Sequence, residues 1–303
     1  MRALLLYNPA ATTTTPRVRD AIAWRLSAAV DLEVAPTKRR DHASYLAAGA
    51  AAEGVDVVVA LGGDGTVNEV LQGLAHTATA LAIIPGGSTN VWARNLGLPN
   101  DAEAATSRLL GLLTARQRRK VTLGVANDRF FGFAAGYGFD AAAVREVERR
   151  HALKRTVRQA SFLMGGLVAL LRTYDRKGAS ITVAEAGAEP VEGCKAVVCC
   201  NSAPFTYLGP WSADLCPDAD LDGGLDLLGL TKLSLPVLLR VVHGALSAGG
   251  DVGALPAARR WHDADEVVLS SPVKLPLQVD GDYVGEEDRV VLRAAREAVD
   301  LVI

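Results

Sequence analysis

The sequence predicts an α/β protein: an N-terminal doubly wound α/β domain followed by a β-rich sandwich domain. Three observations carry this. Short apolar runs alternate with helical patterns through about residue 115, the rhythm of βαβ units around a parallel sheet. Two of those runs lead into a glycine turn and then a helix start. Beyond residue 119 the pattern becomes one of alternating strands and a hairpin signal, which suits a mostly antiparallel sheet or sandwich. At 303 residues the chain is long for a single core, and we divide it into domains 1–118 and 119–303.

Composition narrows the function classes. Hydrophobic residues make up 50% and charged residues 22%, so the chain is globular rather than disordered. With 32 Lys and Arg against 34 Asp and Glu, the net charge of −2 gives no global attraction to nucleic acid or to an anionic membrane. Cys194, Cys199, Cys200 and Cys216 lack metal-site spacing and read as buried thiols in a reducing compartment. The apolar stretch at the start is too short for a signal peptide, and Ser161 to Leu171 is too short for a membrane span. A cytoplasmic location is expected, with no nucleic-acid partner.

Ala3 to Tyr7 reads as the first strand, ended by Asn8-Pro9. Pro16 suits the first position of a helix capped by Thr15, with Val18, Ile22 and Leu26 on its buried face. The hydroxyl run Thr12 to Thr15 reads equally as phosphate donors or as a polar loop. Leu32 to Ala35 is a second strand. Thr37-Lys-Arg-Arg40 at its carboxyl end either faces a ligand beyond the sheet edge or is solvated. Asp41 to Glu53 is an alanine-rich helix stopped by Gly54.

The centre of the chain is Val57 to Leu71, a buried strand, a glycine turn and a helix start. Gly62, Gly63 and Gly65 allow a sharp turn and a close ligand approach. Thr66 and Glu69 have capping-box spacing, which predicts a helix from Thr66. Val67, Val70, Leu71 and Leu74 form its apolar stripe. Such a turn offers N–H groups and a positive dipole end to phosphate. Asp64 within it would be repelled by polyphosphate unless Mg²⁺ lay between them; otherwise it is a local cap. Leu81 to Ile84 and Pro85-Gly-Gly-Ser-Thr-Asn90 repeat the pattern, with a helix capped by Ser88 or Thr89 and ended by Gly97 and Pro99. Two such turns after neighbouring strands bring two sets of N–H donors to one sheet edge.

In the second half, Val121 to Val125 and Arg129 to Ala135 read as a hairpin. Phe139 to about Tyr174 is a long helical region, basic at Arg145, Arg149, Arg150, Lys154, Arg155 and Arg158, then apolar from Phe162 to Leu171. It reads as an ordinary packed helix, or as one that touches an anionic membrane. Strands follow at Ala179 to Ala184, Cys194 to Asn201, Leu225 to Leu230, Asp265 to Ser270, Leu275 to Val279, Val290 to Arg293 and Ala298 to Ile303, with a short amphipathic helix at Leu235 to Leu246. Asp218 to Asp226 is carboxylate-dense, suiting a hard cation or an acidic surface turn. Asp280-Gly-Asp282 offers a carboxylate to accept an alcohol proton or is simply a β-turn.

Gly62-Gly-Asp-Gly-Thr-Val-Asn-Glu69, Gly86-Gly-Ser-Thr-Asn90 with Ala93-Arg94 and Leu96-Gly-Leu-Pro99, Gly136-Tyr-Gly-Phe-Asp140 and Asp280-Gly-Asp282 together resemble the diacylglycerol kinase catalytic family, which includes bacterial lipid kinases and sphingosine kinases. Gly-Gly-Asp-Gly-Thr alone is shared with NAD kinases and phosphofructokinases, whose α/β domain the first half is similar to. The resemblance implies an ATP-dependent kinase of a lipid hydroxyl, with diacylglycerol or a related lipid as acceptor at the membrane surface. A kinase of a soluble acceptor such as NAD, or a binding protein without turnover, is the alternative. It also implies ATP in the cleft between the domains and peripheral location at the inner membrane face, and leaves a homodimer open.

By position, the resemblance places ATP against Asn8, Pro9, Thr12, Thr37, Gly62, Gly63, Asp64, Gly65, Thr66, Asn68, Glu69, Gly87, Ser88 and Asn90. It implies a catalytic group of Asp64, Asp280 and Asp282, one of the last two being the base. A structural Mg²⁺ in similar kinases corresponds to Asp220, Leu225 and Gly223, which stands where the family has Asp, so that either Asp222 substitutes or the site is lost. Two other departures are Ala11-Thr12 in place of a small-residue pair such as Ser-Gly, and Val91 in place of Asp.

Overall fold

The structure, a computed structural model, describes residues 1–11, 14–151, 180–247 and 249–303. It forms two compact units, Met1–Leu123 with Ala295–Ile303, and Gly124–Ala294.

The first unit alternates strand and helix: β1 (Arg2–Tyr7), α1 (Pro16–Ser27), β2 (Asp31–Pro36), α2 (His42–Ala52), β3 (Val57–Gly62), α3 (Asp64–Leu74), β4 (Ala80–Pro85), α4 (Val91–Asn95) and α5 (Ala102–Ala115). The four strands are parallel in the order β4-β3-β1-β2. Every residue of β3 and of β4 is buried, as expected for strands covered on both faces. Leu5, Val57, Val59, Leu61 and Ile84 pack with Ile22 and Leu26 of α1 and with Leu109 and Leu113 of α5. Helices α2 and α3 pack tightly together: a Cβ on Gly73 would meet Ser44 O at 2.4 Å and Ala47 Cβ at 2.9 Å. The alanines of α2 make that approach feasible. Thr15 caps α1, accepting from Val18 N at 3.3 Å, with Pro16 in the first turn, as the sequence predicts.

The second unit begins in β5 (Arg119–Ala126), which forms a hairpin with β6 (Arg129–Phe131). It continues through β7 (Ala134–Gly138), α6 (Phe139–His151), β8 (Ile181–Glu185), β9 (Val191–Cys194), β10 (Ala196–Cys200), β11 (Thr206–Leu208), β12 (Trp211–Ala213), β13 (Leu225–Leu230), α7 (Leu235–Leu246), β14 (Ala258–Ala264), β15 (Glu266–Val279) and β16 (Asp282–Leu301). The strand order β14-β13-β10-β7-β15-β16 is antiparallel throughout. Strand β15 pairs β8 near its start and β7 near its end, with a register shift between Ser270 and Leu275. A bulge of this kind lets one strand bend to serve two partners. The two strands read at Asp265–Ser270 and Leu275–Val279 are therefore one.

The end of the chain differs from expectation. Ala298 to Ile303 does not complete the antiparallel sheet. Leu301 lies beside Leu81 in parallel register, Val302 N donates to Leu81 O at 2.9 Å, and His76 N donates to Ala298 O at 2.7 Å. Of the long helical stretch, α6 is described to His151; residues 152–179, with Lys154, Arg155, Arg158 and the apolar run, lie outside the described residues. All four cysteines are buried and free. Among the described residues no helix is long and apolar enough to cross a membrane.

Candidate functional site

In a doubly wound sheet, ligands bind at the carboxyl edge where the winding reverses. Here that point lies between β1 and β3. Four loops meet at this edge. Asn8 follows β1, its N–H donating to Leu61 O at 3.4 Å and its Oδ1 accepting from Ala10 N at 2.9 Å. Thr37 follows β2, its N–H donating to Tyr7 O at 2.9 Å. The glycine turns follow β3 and β4 and touch directly. Gly86 N donates to Gly62 O at 2.8 Å, and a Cβ on Gly87 would lie 2.7 Å from Gly63 Cα. The structure thus brings Asn8, Pro9, Thr37, Gly62, Gly63, Asp64, Gly65, Thr66, Gly87 and the exposed Ser88 to one sheet edge. Thr12 lies outside the described residues.

Several of the sequence-predicted contacts are engaged inside the fold instead. Helix α3 starts at Asp64, not Thr66, with Gly63 as its N-cap and no side-chain cap bond. The capping box does not form because Glu69 Oε2 accepts from Ala43 N at 3.0 Å, fixing α3 to the start of α2. Asn68 is buried, and its side-chain oxygen accepts from Gln72 Nε2 at 3.3 Å. Helix α4 is entered through Asn90, not Ser88 or Thr89. Asn90 sits at φ 50°, a left-handed conformation Asn tolerates. Its side chain accepts from Gly87 N at 2.9 Å and donates to Gly87 O at 3.0 Å and to Asn100 Oδ1 at 2.8 Å. Asn90 therefore shapes the second turn from beneath. Asp64 Oδ1 accepts from Trp92 N at 3.2 Å, so the first turn holds the start of α4.

Thr14 went unnoticed in the sequence beyond its place in the hydroxyl run. It is buried, and its Oγ1 has no partner among the described residues. A Cβ on Gly86 would meet that oxygen at 2.6 Å and Gly62 N at 3.1 Å, so the hydroxyl lies against both glycine turns. Thr66, also buried, covers Gly62 from the helix side. By position the N–H groups of Gly63 and Gly65 precede any intrahelical acceptor, while Thr66 N donates to Gly63 O at 2.9 Å. An orphaned hydroxyl beside N–H groups, with glycines where any Cβ would intrude, fits a phosphate chain.

In the second unit, Asp280 and Gly281 form the two-residue turn between β15 and β16, at φ 48° and 81°. Asp280 is 6% exposed. Its carboxylate accepts from Gly132 N at 2.8 Å, Phe133 N at 3.0 Å and Ala134 N at 3.1 Å. Asp282, at the start of β16, is half-buried. The turn is tied to Asp140, which the sequence placed in a motif without a role. Gly281 N donates to Gln278 Oε1 at 2.8 Å, and Gln278 Nε2 donates to Asp140 Oδ2 at 3.0 Å. Burial pushes the Asp140 carboxyl up to about 6, against the lowering effect of the Gln278 bond.

The acidic loop is arranged differently from the expected metal set. Asp220 Oδ1 accepts from Asp222 N at 2.7 Å and Gly223 N at 2.8 Å, so it closes its own loop. Asp222 is exposed and Leu225 is a buried strand residue. Among the described residues, the carboxylates of Asp218 and Asp226 converge with the ring of His262. His262 Nδ1 lies 2.9 Å from Asp226 Oδ1, and that partner raises the His262 pKa. The grouping depends on β13 and β14 being neighbours, which local spacing does not reveal.

Comparison with known proteins agrees with the motif order. Residues 2–125 match the family profile described as diacylglycerol kinase catalytic domain. A diacylglycerol kinase of Staphylococcus aureus (strain bovine RF122 / ET3-1) is 28% identical over 296 residues, covering 94% of this chain and 87% of the relative; that of strain NCTC 8325 / PS 47 matches equally. A solved diacylglycerol kinase of Bacillus anthracis str. Sterne shares the fold at 21% identity and a TM-score of 0.72, covering 99% of this chain and 96% of its own. A second chain from that organism gives 22%, 0.76 and the same coverage. Residues 2–125 thus match the diacylglycerol kinase catalytic-domain profile, the whole chain is similar to bacterial diacylglycerol kinases and shares the fold of the solved ones, and a phosphotransferase of the kinase type is supported.

Proposed function

We propose that this chain is an ATP-dependent lipid kinase that transfers the γ-phosphate to the hydroxyl of diacylglycerol or a related lipid. The observation that carries the reading is the pair of glycine turns, packed backbone to backbone around the orphaned Thr14 hydroxyl at the switch point of the sheet. The relatives named as diacylglycerol kinases support the acceptor class.

The turns from Gly62 to Thr66 and from Gly86 to Ser88 would cradle the phosphates through backbone N–H groups, with Thr14, Asn8 and Thr37 around them. Asp64 would hold Mg²⁺, which when bound neutralises developing phosphate charge. Asp64 keeps α4 in register meanwhile. The Asp280-Gly-Asp282 turn would supply the carboxylate that takes the acceptor proton. Asp282 is the more exposed of the pair. Phosphoryl transfer of this kind depends on positioning and charge stabilisation. The Asp220 and Asp222 loop is not needed for transfer in this reading.

The test is transfer of labelled γ-phosphate to mixed micelles containing diacylglycerol, monoacylglycerol, sphingosine and phosphatidylglycerol, with and without Mg²⁺, and to NAD without detergent. A Mg²⁺-dependent phospholipid product is expected. Asp64→Ala is expected to lower kcat by at least about 10²-fold; near-normal turnover would refute its role. The second reading, a binding protein without turnover, is motivated by Val91, a buried apolar residue where the family carries Asp. Tight ATP binding with no ADP release on any acceptor would establish it.

A further inference from the structure

Helix α7 presents an apolar stripe to solvent. Leu235 is 54% exposed, Leu239 61%, Val242 40% and Leu246 37%, and Ala245 is the helix's buried residue. At about 3.6 residues per turn, the four outward side chains fall within an arc of about 60°. Among the described elements, the helix packs against β12 and the 3₁₀ turn Val252–Ala254. Gly244 lies on Val252, where an added Cβ would stand 3.2 Å from Val252 Cγ2. On β12, Trp211 is itself 69% exposed. A leucine stripe and a tryptophan left open on adjoining elements exceed scattered surface apolarity.

The helix itself carries no negative charge: α7 contains no Asp or Glu. His243 lies beside the stripe, Arg240 lies about 100° further round the helix, and Lys232 precedes the helix; all three are exposed. Of the carboxylates on the elements packed behind it, Asp251 pairs with Arg260 at 3.1 Å and Asp214 is partly buried. An apolar strip on a helix whose formal charge comes from Arg240 alone, with Lys232 before it and an exposed indole beside it, is the pattern of a helix lying in the headgroup plane of an anionic bilayer.

We propose that α7 and Trp211 dock the protein on an anionic lipid bilayer surface. The inference rests on the lipid-kinase reading in one respect: an acceptor with two acyl chains stays in the bilayer, so the enzyme must come to it. The short helix inserts its Leu235, Leu239, Val242 and Leu246 side chains at the acyl boundary while Arg240 and Lys232 meet phosphate headgroups. The contact is peripheral and reversible, because one short amphipathic helix is a weak anchor.

The experiment is co-sedimentation of the whole chain with vesicles of phosphatidylcholine, with and without phosphatidylglycerol. Wild type, the double variant Leu239→Gln/Val242→Gln and Arg240→Gln are compared. These side chains are exposed, so unchanged melting temperatures are expected and serve as the folding control. The double variant is expected to lose vesicle affinity by about tenfold or more. Arg240→Gln is expected to weaken binding about fivefold on anionic vesicles and not on phosphatidylcholine alone. Phosphorylation of short-chain diacylglycerol dissolved as monomers should be unchanged in all three, while the rate on vesicles falls. Equal partition of wild type and double variant overturns the proposal, as does wild type remaining in the supernatant. Loss of self-association in the double variant, with vesicle binding intact, overturns it in favour of a second copy on this face. Vesicle binding that follows the stripe without transfer to any lipid would sink the kinase reading and leave the docking surface standing.

Discussion

Asp280 and Asp282 are two residues apart and differently placed. The oxygens of Asp280 accept three backbone N–H groups from Gly132 to Ala134, so removing them leaves buried donors unsatisfied. Asp280→Ala is expected to destabilise the protein by roughly 3 kcal/mol or more, visible in urea melts. Asp282→Ala is expected to cost less stability than Asp280→Ala and to lower kcat by about 10²-fold or more, with KM for ATP little changed. A stable Asp280 variant with no turnover, beside an active Asp282 variant, would move the base to Asp280. Asp140 makes a separate prediction. Its folded pKa of about 6 lies above the ordinary carboxylate range, near about 4. Between those values the folded protein retains a proton that the unfolded chain has released. Stability therefore falls as pH rises through that window and is level above it. Asp140→Asn keeps an oxygen for Gln278 and removes the titration. It is expected to match wild type near pH 4 and to be up to about 3 kcal/mol more stable at pH 8. A wild-type profile that is flat from pH 4 to 7 would refute the assignment.

At the scale of elements, the two glycine turns are built to touch. Gly87→Ala would set a Cβ 2.7 Å from Gly63 Cα and 2.8 Å from Asn90 Oδ1, displacing backbone rather than a flexible side chain. It is expected to cost about 1–3 kcal/mol and to weaken ATP binding at least tenfold, as calorimetry would read. Gly111→Ala in α5, with nothing within 4 Å of the new carbon, is the control and should be neutral or stabilising by up to about 1 kcal/mol. That the turns follow adjacent strands was legible in the sequence, because buried parallel strands read as β-branched runs ending in glycines. The cap of α3 was not. Thr66 and Glu69 have capping-box spacing, but Glu69 is taken by Ala43 N, 26 residues back. Asn90 was read as a ligand contact because its motif lies at the site, yet its side chain closes on Gly87. The same limit applies to the acidic loop: local spacing picks out its aspartates, but not His262, which reaches Asp226 only once β14 pairs β13. Local spacing reveals elements; it does not reveal which distant group satisfies each polar side chain.

The whole molecule is threaded so that its last residues return to the first unit. β16 runs from the Asp280–Gly281 turn through Val290 and Leu292 of the second unit and ends beside β4. This return is not legible in the sequence, where Ala298 to Ile303 reads as one more strand of the sheet before it. Its side chains nevertheless complete the first core: Leu301 is 1% exposed and Val302 packs with Leu5, Val57 and Leu113. A core that closes only after the whole chain is made couples the first unit to the final nine residues through contacts of very long sequence separation, which form late. Leu301→Ala should therefore destabilise by about 2–5 kcal/mol and act first on the neighbours of β4. In hydrogen exchange, the amides of β3 and β4 are expected to lose protection while those of β10 and β13 keep theirs. Loss confined to β10 and β13, with β3 and β4 unaffected, would place the C-terminal strand with the antiparallel sheet and undo this account of the first unit.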